Sequence, residues 1–183
     1  MGILKPARRI GCGHWEVSEM KIYFASDHGG FETKEELKRY AAEELGHEVE
    51  DCGAHQLDPA DNYPDYIVPA AKKIAADPEA RGVIAGGSGQ GEAMAANKVK
   101  GIRAFVYYGP AKAVKAVDVS GRMSEDPHEI VKLARLHNNS NVISFGNRFV
   151  PIEEAKQVLK LWLETPFEGG RHQKRIELMD QLS

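Results

Sequence analysis

Cysteine is scarce in this 183-residue chain: Cys12 and Cys52 are the only two. They are far apart and form no CxxC pair, so neither a disulfide framework nor a cysteine zinc site is expected. An excess of positive charge is also missing. Lys and Arg number 24 against 27 Asp and Glu, a formal net charge of −3. That removes the whole-molecule basic field nucleic acid would require, and any anion must be held by a local cluster. No apolar run approaches the ~18 residues a membrane span needs. The expected setting is the cytoplasm, with no membrane or nucleic-acid partner.

The segment MGILKPARRIGCGHWEVSE (1–19) stands apart. Lys5, Arg8 and Arg9 make it basic, but no continuous apolar stretch follows, so a secretory signal does not fit. Cys12 and His14 are two potential ligands without partners nearby and are read as incidental. Met20 begins a regular pattern. The expected organisation is an extension over 1–19 and a single domain over 20–183.

From Lys21 onward, short β-type runs alternate with helix-type segments. KIYFAS (21–26) reads as a strand, with a turn at Asp27-His28-Gly29-Gly30 and a helix from about Phe31 to Leu45 closed by Gly46. HEVEDC (47–52) alternates as a second strand. A helix opened by Pro64 runs to about Ala76, and GVIAG (82–86) is a short buried strand. GGSGQG (86–91) leads into a helix over 92–99, followed by strands over 101–107 and 141–145. Pro151 is expected as the first residue of the helix that follows it, and a last helix spans about His172 to Leu182. Five strands alternating with helices predict an α/β fold: a parallel sheet with right-handed crossovers and helices on both faces. Ligands of such sheets bind outside the carboxyl ends of the strands, which places Asp27–Gly30 and Gly86–Gly91 on one rim.

The glycine run fails two nucleotide tests. A P-loop counted from Gly86 reaches Gly91, but Glu92 stands where lysine is required. The dinucleotide pattern fits Gly87 and Gly89 and again meets Glu92 at its last glycine position. What remains is a hydroxyl, free N–H groups and a carboxylate one turn onward, a set suited to enolisation. Removing the proton on C2 of an aldose needs a base, and the resulting enediolate needs donors. Glu92 is the candidate base. Ser88 and the N–H groups of Gly87, Gly89, Gln90 and Gly91 are the candidate donors. The plainer alternative is a Glu92 that complements the helix dipole. The dipole would lower its pKa and desolvation would raise it; spacing leaves that contest open.

SDHGGF (26–31), NYP (62–64), GGSGQGEAMAANKVKGIRA (86–104), LHNNSNVISFGNR (136–148) and GGRHQKR (169–175) together resemble the type B ribose-5-phosphate isomerases, a family that also takes in galactose-6-phosphate isomerase subunits. The resemblance implies a Rossmann-like three-layer α/β/α fold and a homodimer, or a dimer of such dimers, with active sites built from both subunits. It also implies interconversion of D-ribose 5-phosphate and D-ribulose 5-phosphate, without metal or organic cofactor. One subgroup carries a cysteine base at the position of Gly86; this chain resembles the other, with a glutamate base at Glu92. By the same resemblance His137 assists ring opening, and Asn138, Asp27 and His28 contact the sugar. Arg148, Arg171 and Arg175 bind the phosphate. Arg171 and Arg175 are four apart and share a helix face; a solvated basic face is their plainer reading.

Two features depart from the family pattern. One is the extension. The other is the distance from Arg103 to His137, lengthened by polar, turn-rich material around 117–129, read as an inserted surface loop. It leaves open other sugar phosphates of four or six carbons, as well as a non-catalytic sugar-phosphate-binding subunit.

Overall fold

The computed structural model describes residues 9–10, 14–15 and 19–182. Two short strands, β1 (Arg9–Ile10) and β2 (His14–Trp15), pair antiparallel as a separate two-stranded sheet. The sequence pattern gives no sign of this hairpin. Cys12 lies outside the described residues.

The main sheet holds β3 (Lys21–Ser26), β4 (Glu48–Asp51), β5 (Arg81–Gly86), β6 (Ala104–Tyr107) and β7 (Val142–Gly146). All its pairings are parallel, in the order β4-β3-β5-β7-β6. The helices are α1 (Phe31–Glu43), α2 (Tyr63–Ala76), α3 (Gln90–Ala96), α4 (Glu129–Leu136), α5 (Ile152–Glu164) and α6 (Arg171–Asp180). Side chains alternate along the strands. Ile22, Phe24, Val83, Ala85, Ile143 and Phe145 therefore join one core with Leu37 of α1, Val131 of α4 and Leu159 and Trp162 of α5. Tyr23, Ala25, Ile84 and Val142 join the other with Ile67, Ala71 and Ile74 of α2 and Ala96 of α3. Burial on both faces is why these strands read as nearly continuous apolar runs. Among the described residues no helix is long and apolar enough to cross a membrane.

Element boundaries depart from the sequence expectation where a side chain takes over a backbone partner. α3 ends at Ala96 instead of running to 99, because the Asn97 amide bonds both the N–H and the C=O of Ala104 (2.8 and 2.9 Å). β6 starts at Ala104 rather than 101, since the Arg103 N–H is taken by Asn141 Oδ1 at 2.8 Å. Pro151 is the N-cap of α5 rather than its first residue: its ψ of 147° is extended, while its carbonyl accepts the Ala155 N–H at 3.0 Å. Gly46, at φ +72°, follows the last turn of α1 as expected.

Residues 108–128 contain no strand or α-helix and are mostly exposed. Their second half is nonetheless tied down. Asp118 accepts from Ser120 and Arg122, and Arg122 and Ser124 both reach the buried Glu129 carboxylate at 2.6 and 2.8 Å.

One buried ion pair fixes the β4 end of the rim. Lys34 of α1 is fully buried, and its Nζ donates to Asp51 Oδ1 at 2.8 Å and to the Ala54 carbonyl at 2.6 Å. Burial alone would raise the Asp51 pKa. The Lys34 and Lys38 ammonium groups and the Gly53 N–H outweigh it and bring the carboxyl down to about 2. Lys34→Met should cost about 3 kcal/mol in urea unfolding at neutral pH, because it leaves a half-buried carboxylate short of a partner. The depressed pKa stabilises the fold above 3.8, and that contribution is lost as pH falls through about 2. The stability change across this window should be smaller in Lys34→Met.

Candidate active site

The chain leaves β3 for β4 on one side and returns to β5 on the other, so the sheet reverses direction between β3 and β5. That crevice is where a doubly wound sheet binds ligands. The loop 27–30 follows β3 and the loop 86–91 follows β5. They meet with little between them: a methyl group on Gly30 would fall 2.2 Å from the carbonyl carbon of Ala85, an approach only glycine allows.

Glu92 lies in the first turn of α3 and is 4% exposed. Its carboxylate packs directly on the backbone of Gly86, where a methyl group would come within 1.8 Å of Oε1. A side chain at position 86 and the Glu92 carboxylate therefore claim one space. Burial raises the Glu92 pKa and, with a further push from the Asp27 charge, outweighs the lowering by its own backbone N–H. Asp27 is itself buried, and its Oδ1 has no hydrogen-bond partner among the described residues.

His28 is gripped twice by Asp61. The Asp61 carboxylate accepts the His28 backbone N–H (3.1 and 3.2 Å) and faces Nδ1 at 2.6 Å. This contact raises the His28 pKa above 6.5. The sequence reading assigned no role to Asp61, although it immediately precedes the NYP motif. The glycine loop is anchored from β7: Ser144 Oγ donates to the Gly89 carbonyl at 2.7 Å. Ser88 is half-buried and Gln90 exposed, with the Gln90 N–H 3.4 Å from Ser88 Oγ. Arg148 sits over Gly87, its guanidinium carbon 3.0 Å from where a methyl group would be.

The remaining predicted residues are elsewhere. His137 caps the C-terminus of α4, and Asn138 follows it. The turn after them is held by buried Arg135, whose guanidinium reaches the Asn139 side chain and the Ser140 carbonyl at 2.8 and 2.5 Å. Burial pulls the Arg135 pKa down to about 9. The His137 ring stacks on His172 of α6, centroids 4.1 Å apart and 8° from parallel. Arg171 Nε donates to His172 Nε2 at 3.2 Å, and Arg175 Nη1 is 3.5 Å from Nδ1. His172 is thus the centre of this group, and sequence reasoning passed over it between the two arginines. Burial lowers its pKa, as do His137 and Arg171.

These two groups lie at opposite ends of the strands. Asn141 meets the amino ends of β5 and β6 through Gly82 N–H and Arg103 C=O, whereas Gly86 and Gly146 close the carboxyl ends. A five-residue strand spans about 15 Å. Within one chain Glu92 and His137 are therefore apart.

Two triads of potential ligand atoms, Asp27–His28–Asp61 and His137–Glu168–His172, each lie within 4.8 Å of one another, a proximity hidden by their sequence spacing. In the first, His28 Nδ1 is already engaged with Asp61. In the second, the stacked rings direct their lone pairs along parallel planes rather than toward one point.

The sequence profile described as Ribose/Galactose Isomerase matches residues 22–121 and 123–179. The chain belongs to this isomerase family. It is 36% identical over 161 residues to ribose-5-phosphate isomerase B of Mycolicibacterium paratuberculosis, covering 87% of this chain and 89% of the relative. Identity to the Escherichia coli enzyme of the same name is 38% over 157 residues, covering 86% and 92%. Among solved structures, ribose-5-phosphate isomerase B from Mycoplasma genitalium with bound ribulose-5-phosphate superimposes with a TM-score of 0.75. It is 31% identical, with coverage of 88% of this chain and 95% of that one. The Thermotoga maritima enzyme gives 0.74 at 34% identity, covering 88% and 98%.

Two outcomes follow for this member of the family. Gly86→Ala should displace the Glu92 carboxylate and lower kcat by about a hundredfold; unchanged kinetics would contradict the packing described. The His28 ring should titrate above 6.5 by NMR, and Asp61→Asn should bring it down. Because the folded pKa is raised, the contact stabilises fully below 6.5 and fades as pH rises through the raised value.

Proposed function

We propose that this chain interconverts D-ribose 5-phosphate and D-ribulose 5-phosphate, and that each active site is shared between two copies. The observation that carries this reading is the buried carboxylate of Glu92, its pKa raised, beside the glycine loop at the sheet's reversal point. A carboxylate with raised proton affinity is a better base. Glu92 removes the C2 proton and returns it to C1, while Ser88 and the amides of Gly87, Gly89, Gln90 and Gly91 hold the enediolate oxygens. Asp27 and His28 contact the sugar, and Arg148 meets the phosphate.

The separation of the two groups supports the shared site. Ring opening by His137 needs that residue close to the sugar, and the length of the sheet divides it from Glu92 in the same chain. A homodimer brings the partner subunit's His137, Asn138, Arg171 and Arg175 to the first chain's Glu92, and the reverse, as two-fold symmetry requires. The same reading makes the chemistry independent of metal, since oriented amides and arginines supply the positive charge. It places the enzyme in the cytoplasm and treats 1–19 and 117–129 as additions to one catalytic domain.

Glu92→Gln should lower kcat on ribose 5-phosphate by several orders of magnitude with the fold intact. His137→Asn should also be nearly inactive. Unfolding the two variants together and refolding the mixture should restore roughly a quarter of wild-type activity, since half the dimers then carry one intact site of two. No recovery would sink the shared site. Exhaustive chelation should leave the wild-type rate unchanged.

A further inference from the structure

Three loops meet at the carboxyl ends of the strands, and a single residue joins them through its backbone and its side chain together. Asn147 directly follows β7. Its backbone N–H donates to the Gly86 carbonyl at 2.9 Å, closing the end of β5. Its Nδ2 donates to the Gly29 carbonyl at 3.0 Å. Its Oδ1 accepts from the hydroxyl of Thr33, in the first turn of α1, at 2.5 Å. The amide orientation is settled by these partners, because a carbonyl such as Gly29's can only accept and must therefore face the nitrogen. Thr33 is 5% exposed, so its hydroxyl is held out of water and directed to Oδ1.

We propose that Asn147 is a positioning residue for proton transfer: its side chain locks the loop bearing Asp27 and His28 to the end of β7, whose backbone in turn holds the start of the glycine loop that faces Glu92. The inference rests on the isomerase reading above. The physical need for such a lock lies in the composition of the two loops. They touch at Gly29 and Gly87, where a methyl group on Gly29 would sit 2.9 Å from the Gly87 nitrogen and 3.2 Å from Asp27 Oδ1. Bare backbone against bare backbone has no side chains to interdigitate, so directional hydrogen bonds must supply the stiffness. Gly29 is one residue from His28 and two from Asp27. A slip at its carbonyl therefore moves both, while Glu92 stays on α3. Arg148 keeps its own tether, its N–H to the Gly87 carbonyl at 3.2 Å, which the Asn147 side chain does not supply. Loss of the side chain should thus disturb the chemical step more than phosphate capture.

The test compares steady-state kinetics on ribose 5-phosphate with thermal unfolding. Asn147→Ala should lower kcat by about thirtyfold to a hundredfold with KM within about threefold, the signature of a misplaced rather than a weakened site. Thr33→Val, which removes only the hydroxyl that orients the amide, should lower kcat about tenfold, and Thr33→Ser should restore it. Because both changes break one unit, the double variant should be no slower than Asn147→Ala alone. Additive losses would overturn the proposal. So would a raised KM at unchanged kcat, or a lowered melting temperature with kcat intact. A wild-type chain inactive on ribose 5-phosphate would instead remove the isomerase reading and this inference with it. An active wild type with unaffected variants would remove only the role of Asn147.

Discussion

A carboxylate withdrawn from water loses several kcal/mol of hydration unless a cation or a set of donors replaces it. Glu92 is withdrawn, and among the described residues no cation pairs with it. The carboxylate responds by holding its proton more tightly, and the rest of the rim is arranged around that condition. Gly86 has no side chain because the carboxylate occupies the space. Asp27 adds a second negative charge nearby instead of relieving the first. The sheet, buried on both faces, provides the rigidity against which a group so unfavourably placed can persist.

The cationic side chains are distributed accordingly. Arg148 lies over Gly87 on the same rim, but Arg171 and Arg175 flank His172 on α6, toward the amino ends of the strands. Burial, the His137 ring and two guanidinium groups disfavour a proton on His172 and outweigh the opposing Glu168 carboxylate. A neutral ring there can accept from Arg171 and present a flat face to His137. Charge is thus concentrated in two places that one chain keeps separate.

Much of the architecture was legible in the sequence, for a plain reason. Strands covered on both faces leave short apolar runs, which length and flanking glycines separate from helices, and Gly46 marks the end of α1 through its own backbone. The elements misjudged were those whose limits are set by side chains, such as Asn97 ending α3. In the site, Glu92 could be proposed from local spacing, because loop and base are contiguous. Asp61, Thr33 and Asn147 could not. Their partners lie 33, 114 and 118 positions away, and no local pattern records a hydrogen bond across such a separation. His172 was quoted within a motif and still overlooked, since its importance comes from the stacked ring of His137.

Asp27, the glycine loop that leads to Glu92, and Asn147 follow β3, β5 and β7, the three inner strands of the sheet. The edge strands β4 and β6 carry none of them. Inner strands bonded on both sides are the last parts of such a sheet to exchange their amide hydrogens, whereas edges and surface loops open at far lower free energy. Fraying of either edge would then leave the strand ends beneath this rim in place. Removing the strands beneath it would require an opening nearly as costly as complete unfolding.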